Sequence, residues 1–75
     1  MWLLSQNGKS LVNANSIWVE GNALLAEYNS GVNSWFTMGT FEDTEEALRA
    51  LAEIASAIGG GCKIYRIRKK YNKEE

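Results

Sequence analysis

The sequence predicts a small α+β domain: an antiparallel β meander of about four strands, one amphipathic helix packed on one face of it, then a C-terminal strand. Three observations carry that expectation. Short aromatic and β-branched runs up to Phe41 are punctuated by Asn7-Gly8, Gly21-Asn22 and Asn29-Ser30-Gly31. A single segment with helical apolar spacing begins at an acidic start signal and stops at Gly59-Gly60-Gly61. Cys62 to Ile67 then alternates as a strand does.

Taken in order, Trp2-Leu3-Leu4 leads into Asn7-Gly8, a common two-residue hairpin signal because both positions tolerate positive φ, and Ser10-Leu11-Val12 returns. After the polar patch Asn13-Ala14-Asn15-Ser16, Ile17-Trp18-Val19-Glu20 forms a second run of β-formers. It either continues the returning strand through a bulge or starts a new one. Gly21-Asn22 turns into a strand from Ala23 to Tyr28, and Asn29-Ser30-Gly31 turns into a run from Val32 or Asn33 to Phe41. That last run is apolar on both alternation phases, with Trp35 and Phe41 expected on one side and Phe36 and Met38 on the other. One helix shields one sheet face, so something besides the helix is expected to bury the second.

Asp43 is the expected helix N-cap, with Glu46 answering it in a capping box and acids in the first turn favouring the positive end of the dipole. Leu48, Leu51, Ala55 and Ile58, flanked by Ala47 and Ile54, share one stripe at helical spacing and are the expected core face. Glu45, Arg49, Glu53 and Ser56 form the expected solvated face, with Arg49 placed to pair with acids one turn away on either side. The triple glycine follows a helix rather than opening one, so it reads as a stop signal and not as a phosphate-cradling loop.

At 75 residues the chain is one domain, expected to span residues 1–67 with a charged tail over 68–75. Domains of this size have a net stability of about 4–11 kcal/mol, so association could contribute much of it. With 45% hydrophobic and 23% charged residues it should fold, and its apolar runs are too short for a transmembrane helix. Met1-Trp2-Leu3-Leu4 lacks the basic flank and length of a secretory signal, so the expected address is the cytosol.

The chain has one cysteine, Cys62, and no histidine. An intrachain disulfide, histidine-containing zinc sites and serine–histidine or cysteine–histidine catalysis are thereby excluded. The acids Glu42, Asp43, Glu45 and Glu46 fit helix-capping and solvent roles better than acid–base chemistry. We therefore expect no enzyme, no metal and no cofactor. The net charge of -1 divides into +4 from Cys62 onward and -5 before it, a complementarity suited to contacts between copies or with an outside partner.

Candidate ligand or interface residues are Trp18, Trp35, Phe36, Met38, Arg66 and Arg68. Tryptophan supplies large rigid contact area and an N–H donor, and aromatic residues are enriched at interface centres, although core packing is the ordinary use. Arg66 to Tyr71 interleaves cations with a ring, a pattern able to contact phosphates and stack on a base, but the pI near 5.4 shows no domain-wide basic footprint.

The stretch from Trp2 to Asn13, together with Gly39-Thr40-Phe41 and Thr44-Glu45-Glu46-Ala47 leading into Leu51 and Ile54, resembles small uncharacterised proteins of Gram-positive bacteria and their phages. It carries no catalytic signature and transfers no site residue; the tail beyond Ile67 departs from it. The resemblance implies a phage or prophage accessory protein acting in the host cytosol, with inhibition of a host defence protein as a purpose. The leading expectation is a non-enzymatic binding protein that self-associates as a homo-oligomer through its uncovered sheet face and has no membrane partner. Alternatives are an oligomeric sponge holding a small anionic nucleotide between Trp18 or Trp35 and Arg66 or Arg68, and a nucleic-acid accessory protein using the basic C-terminus.

Overall fold

The computed structural model describes residues 1–29 and 34–71, with Asn29 and Ser34 described in backbone alone. The expected Asn29-Ser30-Gly31 turn, the run's start at Val32 or Asn33, and residues 72–75 of the tail lie outside the described residues. The fold is α+β. In order it has β1 (Trp2–Leu4), β2 (Leu11–Asn13), β3 (Ser16–Glu20), β4 (Ala23–Asn29), β5 (Ser34–Thr40), α1 (Thr44–Gly59) and β6 (Ile64–Arg66).

The strands form two three-stranded sheets, β2-β1-β6 and β3-β4-β5. The second is the expected antiparallel meander, with three strands instead of about four because β1 and β2 join β6 in the other sheet, where β6 runs parallel to β1. Two adjacent amides pass the chain between sheets, because successive N–H groups of an extended chain point to opposite edges. Ala14 N–H donates to Met1 O at 2.7 Å in the first sheet, and Asn15 N–H donates to Glu27 O at 2.7 Å in the second. Thus β3 is a new strand and not a bulged continuation of β2.

The Asn7-Gly8 hairpin exists, but not as a two-residue turn with both residues at positive φ. Its loop runs from Ser5 to Ser10, and only Gly8 has positive φ, at 74°. Asn7 instead accepts from Ser5 Oγ at 2.7 Å and from Lys9 N–H at 2.9 Å, closing the loop with its side chain.

The helix begins at the expected cap, but Glu46 answers one residue earlier than a capping box requires and adds a second link. Asp43 is extended (φ -154°) and accepts from Glu46 N–H at 2.9 Å. The carboxylate of Glu46 reaches back to Glu42 N–H at 2.9 Å, one residue before the cap, and its other oxygen accepts from Tyr71 N–H at 2.8 Å. At the other end Gly61 sits at φ 89°, where a Cβ would be strained. This lets Gly61 N–H donate to Ile58 O and Cys62 N–H to Ala57 O, the paired bonds of a Schellman stop.

The helix face differs from the expected one. Ala47, Ala50 and Ile54 are fully buried, whereas Leu48 is 50% and Ile58 38% exposed, Ala55 is exposed and Leu51 is half-buried. The apolar arc of α1 is wider than one sheet contact needs. The two small alanines bring its backbone within 8 Å, Cα to Cα, of β3 and β4, and rotating Leu48 or Ile58 into that contact would hold it further off. Nor is Arg49 fully solvated: it is half-buried, its Nε has no hydrogen-bond partner, and the Glu53 carboxylate is taken by Arg68 at 2.7 Å.

One core joins the helix and both sheets through Leu3, Leu24, Ala26, Met38, Ile54, Ile67 and Tyr71. Phe41, expected beside Trp35, leaves the strand and is buried in this core, with its ring edge-on to Tyr71 at 5.6 Å between centroids. The segment from Arg68, expected to begin a solvated tail, returns to the body instead, because Tyr71 finds an apolar seat and Glu46 supplies the acceptor for its amide.

Candidate functional site

The inner faces of the two sheets and the helix share one core, so any apolar surface not used in folding is sought on the outer faces. On β3-β4-β5 the register sets Trp18 opposite Leu25 and Leu25 opposite Thr37, while Glu27 lies opposite Trp35. Alternation therefore gathers Trp18, Leu25 and Trp35 on the face turned away from α1. Leu25 is 5% exposed without belonging to the main core, Trp18 is half-buried, and Trp35 is 56% exposed.

The other candidate residues lie elsewhere. Phe36 is on the inner side, opposite Ala26, and is 36% exposed where the first sheet stops short of it. Met38 is 1% exposed in the core: the pairing steps from Leu25–Thr37 to Leu24–Gly39, which leaves Met38 as the extra residue of a bulge. Arg66 is exposed on the outer face of the first sheet, across from Leu4. Arg68 lies 4.4 Å from the centroid of the Tyr71 ring, and its guanidinium donates to both oxygens of Glu53 at 2.7 Å. Trp18 and Trp35 share one face, on either side of β4; neither arginine joins them there.

The polar groups that do converge hold the C-terminal segment. Tyr65 Oη and Tyr71 Oη are 2.8 Å apart, and Tyr71 Oη accepts from Arg68 N–H at 3.1 Å. Burial, followed by the bond to Tyr71, raises the pKa of Tyr65. The N–H groups of Tyr71 and then Glu42 hold the Glu46 carboxyl below its ordinary value. A second clamp is Gln6: its amide accepts from Thr40 N–H at 3.1 Å and donates to Thr40 O at 2.9 Å and Lys69 O at 3.2 Å.

Sequence reasoning missed this clamp, since a lone glutamine in a loop carries no local signal for partners more than thirty residues away. It also missed a second apolar surface, the outer face of β2-β1-β6, where Trp2, Leu11 and Ile64 are 43%, 52% and 59% exposed. The alternation of Trp2 and Leu4 in β1 was the available signal. Among the described residues no group of histidine, cysteine or carboxylate side chains could hold a metal ion, and no helix is long and apolar enough to cross a membrane. Compared with known proteins, the chain matches no family model, no curated protein and no solved structure.

Proposed function

We propose that the chain is a non-catalytic binding protein that associates with itself through the outer face of the β3-β4-β5 sheet. The observation that carries this reading is the juxtaposition of Trp18, Leu25 and Trp35 on a face that no other described element covers, with Trp35 56% exposed. Two tryptophans about a buried leucine supply rigid apolar area at the centre of a contact, where aromatic residues contribute most. The buried carboxylate Glu46 and the buried Tyr71 are both committed to structural hydrogen bonds, and the chain has no histidine; these facts support a role without catalysis.

The resemblance of the N-terminal stretch and the strand-to-helix junction to small proteins of Gram-positive bacteria and their phages supports an accessory role in the host cytosol, with a host defence protein as target. Self-association is better supported than a nucleotide sponge, because Arg68 is held by Glu53 and Tyr71 rather than set beside Trp18 or Trp35. Serial dilution followed by tryptophan emission tests the proposal. A red shift on dilution, abolished by Trp35→Ser, is the expected result; emission independent of concentration would refute it.

A further inference from the structure

The β2-β1-β6 sheet ends on β2, and among the described residues no strand pairs with the side of β2 turned away from β1. The ladder fixes which backbone groups point there. Ser5 N–H donates to Ser10 O and Ala14 N–H to Met1 O, so these residues form hydrogen-bonded pairs. Such pairs alternate in an antiparallel ladder, which makes Leu3 and Val12 the next one. Leu11 and Asn13 then direct both N–H and C=O to the open side.

Beside that edge lies a groove of about 350 Å³, walled by Leu11 and Val12 on one side and by Tyr28 and Phe36 on the other. Tyr28 is 48% exposed and Phe36 36%. A row of backbone donors and acceptors that no described strand pairs, along an apolar groove, has the chemistry of a strand-addition site: the backbone groups hold an extended chain and the groove takes an alternate side chain.

We propose that β2 accepts an extended segment of another protein as an added antiparallel strand, with one large apolar side chain seated against Tyr28 and Phe36. A second copy of β2 suits the edge but not the groove. A two-fold pairing that uses Leu11 and Asn13 of both copies centres on Val12, and it would offer the groove only Val12 flanked by Ser10 and Ala14. A leucine or an aromatic side chain fills that space better. This site is separate from the Trp18–Trp35 face, so either proposal can fail while the other stands.

The test uses the full chain and a capped heptapeptide of alternating threonine and valine with leucine at its centre, followed by amide resonances of the labelled protein. Saturable shifts confined to Ser10, Leu11, Val12, Asn13, Tyr28 and Phe36, with slowed hydrogen exchange at the Leu11 and Asn13 amides, are expected. N-methylating the two threonines beside the leucine removes the N–H groups that face β2 and should weaken binding roughly tenfold or more. Phe36→Ala should weaken it as well, while Trp35→Ser leaves it unchanged. Absence of shifts at millimolar peptide, or equal binding of the methylated peptide, would overturn the proposal. So would conversion of an oligomer to monomers by the peptide, because the edge would then belong to a second copy.

Discussion

Tyr71 and Trp35 are large aromatic residues in opposite circumstances: the first is 1% exposed and the second 56%. Around Tyr71 the chain satisfies itself. The amide has Glu46, the hydroxyl has Tyr65 and the Arg68 N–H, and the ring has Phe41 in a T-shaped contact and the Arg68 guanidinium over it. Around Trp35 the register supplies Glu27 directly opposite, with Leu25 and Trp18 further across the same face, but no covering layer among the described elements. The difference separates a region whose apolar area is buried on folding from one that folding leaves open to solvent.

The comparison breaks most plainly through Tyr71→Ala, which removes a fully buried ring. Urea unfolding should report a loss of about 3–5 kcal/mol, in line with other buried aromatic truncations. Trp35→Ala, measured where the chain is monomeric, should stay within about 0.5 kcal/mol of the parent. Comparable losses at the two positions would mean that the outer face already belongs to the monomer's own core.

Within the helix the same contrast recurs at smaller scale. Ile54→Ala should cost about 2–5 kcal/mol, because the side chain is fully buried between α1 and the sheets. Leu48→Ala, at a position 50% exposed, should cost well under 1 kcal/mol in the monomer. If the order were reversed, the Leu48, Leu51, Ala55 and Ile58 stripe would be the packed one.

A subtler effect concerns Glu46, whose carboxyl is held below its ordinary value of 4.5 chiefly by the Tyr71 and Glu42 N–H groups. The unfolded chain takes up this proton first as the pH falls. The stabilisation is therefore full above pH 4.5 and is lost as the pH drops through the lower folded value. Glu46→Gln should flatten the fall in stability below pH 4.5, as read from urea midpoints at stepped pH. An unchanged acid slope would mean that Glu46 does not anchor the C-terminal segment.

The parts of the fold that follow from neighbouring residues were legible in the sequence: the β runs, the Asp43 cap and the glycine stop each rest on contacts within a few positions. Three features that depend on distant residues were not. The rotation of α1 was hidden because its apolar arc includes both stripes, and the choice between them is made by how closely Ala47 and Ala50 let the helix approach β3 and β4. The hand-over at Ala14 and Asn15 depends on acceptors at Met1 and Glu27. The docking of Arg68 to Tyr71 depends on Glu46, whose nearer role as a capping residue explained its presence without the second bond. At the candidate site Trp18 and Trp35 were legible only as separate candidates: their shared face depends on the register through β4, and the groove beside Phe36 on the division of the chain into two sheets.

Sedimentation velocity over a micromolar concentration series tests the self-association claim most directly. The native chain is expected to sediment as a homo-oligomer, and Trp35→Ser as a monomer with unchanged far-ultraviolet circular dichroism. A native chain that stays monomeric throughout, or a Trp35→Ser variant that keeps the native oligomeric state, would contradict it.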